Sequence, residues 1–304
     1  MSALIIPWYV CALLGRAMFA YANIVDSFLA NRVFRYGFSP VFYTACLLVV
    51  FLPWSMVGGL PFVPGSWGVW FLILLVAFFD TIYLLPYYMA FRVEDTSTVT
   101  ALYSLGRIFV PVLAWFLIGE HLPGGAYLGF SIIVAGSLLL IWRPGMKLKQ
   151  LSSLGYVILA AFLVSIAIVL TRMTSRHVDW LSLLFWSRLL GAAMMVLFLI
   201  WPRGRHPLQE WPAFRRNWHI VTADAALTLC ANALVIYALS VAPATLVVAV
   251  SALQPLFVLL FSWILIRKDK GHDLRESMDR TSIMRKLGAF AMLALGCLLI
   301  ALKM

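Results

Sequence analysis

Apolar residues form ten long runs along the chain, each bounded by glycine, proline or charged residues. A helix needs about 20 mostly apolar residues to cross the hydrocarbon core of a bilayer, so each run predicts one membrane-spanning helix. The predicted spans are residues 7–29, 39–58, 67–91, 95–118, 123–142, 153–173, 180–201, 219–240, 243–266 and 286–303. The third and fourth spans lie so close together that merging them would change the number of crossings.

The amino-acid composition agrees with this pattern. Of the 304 residues, 63% are hydrophobic and 12% are charged, whereas soluble domains have about 45–50% and 25%. Few polar side chains are left to cover a water-soluble fold, and the mean hydropathy is +0.97. We therefore expect an all-α integral membrane protein, and most classes of cytosolic enzyme and nucleic-acid-binding protein are excluded.

Lysine and arginine are distributed unevenly between the two sides of the predicted bundle. Loops that follow odd-numbered spans hold seventeen of them, and the opposite side holds three. Because cytoplasmic loops carry the excess of Lys and Arg, both termini are predicted to lie outside the cytoplasm. The net charge of +11 is thus a topology signal, and the expected location is a bacterial-type cytoplasmic (inner) membrane.

Neither a cleaved leader nor a cysteine framework is expected. Residues 1–6 contain no basic residue, and Arg16 interrupts the first apolar run. The four cysteines lie inside apolar runs without a CxxC spacing, so no disulfide and no metal site is predicted. The sequence also lacks His-rich clusters and a GxSxG motif, which argues against catalytic residues and a cofactor.

The chain aligns with itself at an offset of 148 residues, and Trp115 then coincides with Trp263. This predicts two five-helix halves, residues 1–150 and 151–304. An odd number of spans in each half places the halves in opposite orientations, because the second half begins on the side where the first one ends. Inverted repeats of this kind are typical of secondary transporters.

Two stretches resemble EamA-type permeases of the drug/metabolite transporter (DMT) superfamily. The segment Trp115-Phe-Leu-Ile-Gly-Glu120, followed by Leu122-Pro-Gly-Gly, looks like the Gly-Glu turn before the fifth helix of that family. The segment Ser251-Ala-Leu-Gln-Pro is similar to its ninth helix. The resemblance implies a ten-helix bundle that exports or exchanges small metabolites such as amino acids. Its central cavity would be lined mainly by the first, third, fourth, sixth, eighth and ninth helices.

Three features depart from the common pattern of that family. Arg107 stands at a position usually filled by proline, and Lys268 replaces the glutamate expected in the second half. The first span carries Asn23-Ile-Val-Asp26, which resembles a less-characterised branch with an Asn-x-x-Asp start. The substrate therefore does not follow from the resemblance.

Polar side chains within the spans are the candidate binding residues, because a charge at mid-span costs about 2.5–3.5 kcal/mol on insertion scales. Arg16, Asp80 and Arg107 lie near the centres of the first, third and fourth spans. Arginine offers a planar fork of donors that suits a carboxylate or a phosphate. The predicted substrate-binding residues are Arg16, Asn23, Asp80, Tyr83, Tyr87, Tyr103, Arg107, Asn232 and Gln254.

Structural roles compete with binding at several intramembrane charges. Asp80 could neutralise Arg16 or Arg107 in a pair that only holds helices together. Arg188 and Asp224 lie off-centre and are interpreted as structural. The resemblance also places Arg188 on a peripheral helix.

Three other polar or small-residue features allow more than one role. Asn23 could bind substrate or form an interhelical hydrogen bond, and Glu120 is expected to be a conformational latch or a helix cap. Gly125-Ala-Tyr-Leu-Gly129 is a GxxxG motif that allows close helix contact within the bundle or between copies. A monomer and a weak homodimer are both compatible with it.

These features predict a secondary transporter that works by alternating access, as an exporter or exchanger. Arg16 or Arg107 would hold the carboxylate of a zwitterionic or anionic, amino-acid-like metabolite, and Asp80 would face its ammonium group. The tyrosines would surround its side chain. The alternative cargo is a phosphorylated metabolite, a nucleotide sugar or a lipid-linked phosphate. An unpaired Asp80 would allow proton coupling, which a nearby arginine would oppose; the other expected partner is membrane lipid.

Overall fold

The helices of this protein follow the apolar runs of its sequence. The computed structural model describes residues 7–53, 61–92, 106–120, 126–141 and 149–267, with isolated positions at 99, 103, 124 and between 284 and 299. Its α-helices are α1 (Trp8–Phe28), α2 (Phe38–Phe51), α3 (Trp67–Ile82), α4 (Leu84–Phe91), α5 (Gly106–Ile118), α6 (Ala126–Ile141), α7 (Lys149–Thr174), α8 (Trp180–Phe198), α9 (His206–Gln209), α10 (Trp211–Val241), α11 (Ala244–Val250) and α12 (Gln254–Arg267).

Among the described residues, six helical segments are long and apolar enough to cross a bilayer: Trp8–Val33, Trp67–Phe91, Gly155–Thr174, Trp180–Phe198, Trp211–Val241 and Ala244–Leu265. The shorter apolar helices are Phe38–Phe51, Phe109–Ile118 and Tyr127–Gly136. Large apolar side chains such as Trp67, Phe116 and Ile200 are exposed, as expected of surfaces that face lipid. The prediction of an all-α membrane protein is confirmed. The tenth predicted span lies largely outside the described residues.

Two predicted spans are broken in the middle. The third divides at Tyr83, where a turn separates α3 from α4. The ninth divides at a 3-10 turn, Ser251–Leu253, between α11 and α12. Pro86 and Pro255 follow these breaks within one turn, and a proline lacks an N–H and crowds the carbonyl four residues before it.

The eighth predicted span begins earlier than the apolar pattern indicates. The helix starts at Trp211 instead of residue 219 and passes through a non-helical residue at Asn217. Pro212 lies in its first turn, where a proline is well tolerated. Arg215 and Arg216 in this first part are exposed, so the helix continues beyond its apolar section.

Helices α1 and α7 lie at the centre of the bundle, because each of them contacts several other helices. Helix α1 lies along α10 and α12, while α7 lies along α3 and α5. Helix α2 contacts α10 and α8, and α3 also contacts α8. Buried apolar residues from five helices meet in one cluster that includes Ala12 of α1, Ala114 of α5 and Val169 of α7, with Val235 of α10 and Val247 of α11.

Close approach of α1 and α10 depends on Gly15. A Cβ atom there would lie 2.9 Å from Cγ2 of Val235 and 3.1 Å from the carbonyl oxygen of Ala231. Gly15→Ala is therefore expected to lower the free energy of unfolding by about 1–3 kcal/mol, because overpacking displaces neighbouring atoms. Gly155→Ala is the matched control, since its Cβ would meet nothing within 4 Å. Thermal unfolding in one detergent compares the two variants, and equal melting temperatures would contradict this contact.

Candidate functional site

A polar cavity lies inside the bundle, bordered by α1, α2, α3, α4, α7, α8, α10 and the start of α12. The volume of the cavity is about 120 Å³, roughly ten times the volume that one buried water needs on the same scale. Eight of the predicted binding residues line it: Arg16, Asn23, Asp80, Tyr83, Tyr87, Tyr103, Asn232 and Gln254. The ninth, Arg107, belongs to the first turn of α5, and its side chain lies outside the described residues.

An ion pair crosses the cavity wall between α3 and α8, where Arg188 pairs with Asp80. The same guanidinium donates to Oδ1 of Asn232 on α10 at 3.1 Å. The Asn232 amide in turn donates to the carbonyl oxygen of Thr228 at 2.8 Å. One arginine therefore links three helices at the cavity.

This ion pair differs from the expectations drawn from the sequence. Asp80 was expected to pair with Arg16 or Arg107, or to remain unpaired and bind a proton. Its partner is instead Arg188, which lines the cavity. The placement of Arg188 on a peripheral helix was therefore wrong, because α8 turns this side chain towards α3 and α10.

A second polar cluster joins the end of α1 to α4. The hydroxyl of Tyr87 donates to Oδ1 of Asn23 at 2.7 Å and lies 3.3 Å from Oδ2 of Asp26. The hydroxyl of Tyr88 donates to Oδ1 of Asp26. Asn23 thus forms the predicted interhelical hydrogen bond, and it also lines the cavity.

The tyrosines predicted for the site lie against one another. The ring centroid of Tyr103 is 6.0 Å from that of Tyr83 and 5.5 Å from that of Tyr87. Their rings form an aromatic wall, and their hydroxyls supply donors inside it. Such a wall suits a ligand that has both apolar and polar parts.

Arg16 differs from the other described cavity arginine in its surroundings. Its Nε is buried without a hydrogen-bond partner, and no ion pair among the described residues includes it. Its guanidinium carbon lies 5.6 Å from the ring centroid of Phe19, and it interacts electrostatically with Tyr103 and Tyr83. Donors on this side chain are available to a ligand in the cavity.

Sequence reasoning missed Asp26 and Arg188 as lining residues. The other polar side chains that it missed are Tyr88 and the hydroxyls of Thr44, Thr81, Thr171, Ser187 and Thr228. The spacing of Asp26 was the available signal, because it lies three residues after Asn23 and so on the same helical face. The hydroxyls gave no comparable signal, since serine and threonine are common in membrane helices.

Glu120 ties three chain segments together at one end of α10. Its Oε1 accepts from Nε of Arg172 at 3.0 Å, and its Oε2 accepts from the backbone N–H of Ala244, the first residue of α11, at 3.0 Å. Arg172 also donates to the carbonyl oxygens of Leu239 and Ser240 at 2.9 and 3.0 Å. The geometry fits both a helix cap and a latch between helices.

Glu210 joins the other end of α10 to the segment before α2, and it lies immediately before the first residue of α10. Its carboxylate accepts from the backbone N–H groups of Arg35 and Tyr36 and from the hydroxyl of Ser39. This carboxylate was not predicted as a site. Glu120 and Glu210 thus accept hydrogen bonds at opposite ends of α10, a helix of 31 residues that is about 45 Å long.

Apolar helices around a polar cavity are the features of an integral membrane protein. Residues 151–269 match the EamA-like transporter family, which confirms the predicted resemblance over this stretch. A solved structure described only as "Crystal structure of protein" aligns with a TM-score of 0.63 and 17% identity, covering 96% of this chain and 98% of that chain. At this identity the likeness shows the fold alone. Comparison with curated proteins gives no match.

Proposed function

We propose that this protein is a secondary transporter, not an enzyme, and that it moves a small zwitterionic or anionic, amino-acid-like metabolite. The observation that carries this proposal is Arg16, a cavity arginine with a buried Nε that lacks a partner among the described residues. Burying a charge without an opposite charge is costly, so a ligand that supplies a carboxylate gains the full pairing energy. Export or exchange is the expected direction.

The rest of the site supports a zwitterion. Asp80 is the proposed partner of the ligand's ammonium group, in competition with Arg188. When Asp80 turns to the ligand, the guanidinium of Arg188 keeps its hydrogen bond to Asn232. Tyr83, Tyr87 and Tyr103 then enclose the ligand's side chain, and Gln254 supplies an amide at the break before α12.

Alternating access would use ten spans in two inverted halves, residues 1–150 and 151–304. Helix contacts support this proposal, because a contact between two spans in one pairing has a counterpart between the spans that occupy the equivalent positions of the other half. The contact of α1 with α10 corresponds to that of α7 with α3, and the contact of α1 with α12 to that of α7 with α5. Likewise, the contact of α2 with α10 corresponds to that of α8 with α3.

A phosphorylated metabolite, a nucleotide sugar or a lipid-linked phosphate is the second candidate cargo. It is favoured by the position of Arg188, which lines the same cavity as Arg16. Two arginines at one site form a clamp for phosphate oxygens. In that case Asp80 would have to release Arg188 completely.

Ligand-induced thermal stabilisation distinguishes these cargoes. The purified protein in detergent is heated with amino acids, phosphorylated metabolites or nucleotide sugars, since a ligand that binds only the folded state raises the melting temperature. Stabilisation by zwitterions that Arg16→Met removes supports the first proposal. Stabilisation by phosphates alone supports the second, and a complete lack of response to soluble compounds contradicts both soluble classes.

The orientation in a bacterial-type inner membrane gives a separate prediction. His177 and Leu208 are exposed and lie in loops predicted on opposite sides of the membrane. In a background without native cysteines, a membrane-impermeant maleimide should label His177→Cys in right-side-out vesicles and Leu208→Cys only in inside-out vesicles. The reverse result would place both termini in the cytoplasm and contradict the orientation drawn from the Lys and Arg distribution.

A further inference from the structure

Two buried aspartates lie on neighbouring helices, Asp26 on α1 and Asp224 on α10. Asp26 is 9% exposed and Asp224 is 2% exposed. Asp224 interacts electrostatically with Asp26, and Tyr88 interacts with both carboxyls. Asp26 lines the cavity, whereas Asp224 is not part of its lining.

The two carboxyls have very different partners. Asp26 accepts a hydrogen bond from the hydroxyl of Tyr88, and the hydroxyl of Tyr87 lies 3.3 Å from its Oδ2. Both carboxyl oxygens of Asp224 are buried without a hydrogen-bond partner among the described residues. Hydroxyl groups can stabilise one negative charge at Asp26, but nothing described does so for Asp224.

The described cavity arginines are directed elsewhere. Arg188 pairs with Asp80, and Arg16 lies beside Tyr83 and Tyr103. Tyr83 is the other titratable group that interacts with Asp26, and it carries no positive charge. Two neighbouring carboxylates without a cation cannot both be ionised inside a bilayer.

We propose that Asp26 and Asp224 form a proton-binding site that couples substrate movement to proton movement. The proton resides on Asp224, and Asp26 is ionised. The proposal rests on the proposed transport function and replaces Asp80, which is paired with Arg188, as the coupling residue.

The chemistry of exchange follows from this placement. A ligand ammonium group bound at Asp80 lies in the cavity that Asp26 also lines, and its positive charge stabilises negative charge on the aspartate pair. The O–H bond of Asp224 then breaks, its electron pair stays on the carboxylate and the proton passes to water. When the ligand departs, a proton from water rebinds to Asp224. Proton and ligand ammonium group thus exclude each other, which is the requirement for proton-driven export by exchange.

Infrared spectroscopy of the purified full chain tests the site without any substrate. A protonated carboxylic acid has a carbonyl stretch that an ionised carboxylate lacks, and a buried acid exchanges slowly in D₂O. We expect the wild type to show this signal, and carbon-13 labelling of aspartate to shift it without any substitution. Asp224→Asn should abolish the signal, whereas Asp26→Asn should retain it at a shifted frequency.

Asp179→Asn is the matched control, because Asp179 caps α8 from an exposed position and asparagine caps a helix equally well. It should leave the signal unchanged. The proposal is overturned if the wild type lacks an acid signal, or if the signal survives Asp224→Asn. A sodium site at Asp224 would also overturn it. In that case sodium ions, but not potassium ions, would raise the melting temperature of the wild type and not that of Asp224→Asn, and the acid signal would be absent. None of these results alters the outcome of the ligand screen, so the two proposals fail separately.

Discussion

Affinity for a carboxylate-bearing ligand is expected to fall about 30-fold or more when Arg16 is replaced by methionine. Removing one partner of a buried, hydrogen-bonded charge pair costs about 2–5 kcal/mol, and each 1.4 kcal/mol corresponds to roughly a tenfold change in affinity. Methionine keeps the unbranched stem of the side chain and removes the guanidinium group with its charge and donors. The dissociation constant, obtained from the ligand dependence of the melting temperature, measures the effect.

The same substitution separates binding from folding. Because Nε of Arg16 has no partner among the described residues, Arg16→Met should leave the ligand-free melting temperature unchanged or raise it. Arg216→Met is the control, since Arg216 is exposed at the start of α10, and it should not alter affinity. Unchanged affinity in Arg16→Met would show that the ligand's anionic group lies elsewhere in the cavity.

Breaking the ion pair between Asp80 and Arg188 should have the largest effect on stability. Asp80→Asn removes the negative charge and leaves a buried guanidinium with Asn232 as its remaining described partner. Loss of one partner from a buried pair costs about 3–5 kcal/mol. Denaturant unfolding in detergent, followed by tryptophan fluorescence, measures the change in the free energy of unfolding.

A double variant tests whether this loss belongs to the pair. Asp80→Asn combined with Arg188→Gln removes both charges, so most of the lost stability should return. If the two single losses simply add in the double variant, the groups act independently and the pair is not a structural unit. Arg188→Gln alone should cost about as much as Asp80→Asn.

The membrane spans and much of the cavity lining were predictable because the bilayer imposes simple rules. A charged or strongly polar side chain in an apolar run must face the bundle interior, so Arg16, Asp80 and Asn232 could be placed in a cavity from position alone. The aromatic side chains were predictable in the same way, because Tyr83 and Tyr87 follow Asp80 by three and seven residues and so share its helical face. The structure brings these residues together.

The pairing of the charges could not be predicted, because it depends on how each helix is rotated about its axis. Arg188 lies off-centre in an apolar run, and its sequence neighbours give no indication that α8 turns it towards Asp80. Asp224 is similar, since its relation to Asp26 arises only where α1 and α10 lie side by side. Composition and span position identified which residues are polar but not which of them meet.

Helix breaks were likewise only partly visible in the sequence. Pro86 and Pro255 mark the positions at which α4 and α12 restart, but proline also occurs within α5 at Pro111 without a break. The early start of α10 was missed because residues 211–218 lack the apolar character that defined a span.

Counterflow in proteoliposomes tests the central claim most directly. Vesicles that contain the purified protein are loaded with an excess of the unlabelled compound found in the ligand screen, and uptake of a labelled trace is followed. A carrier with alternating access should concentrate the label transiently inside wild-type vesicles, and Arg16→Met should abolish that overshoot. Binding of the compound without any overshoot in the wild type would contradict the assignment as a transporter of that compound.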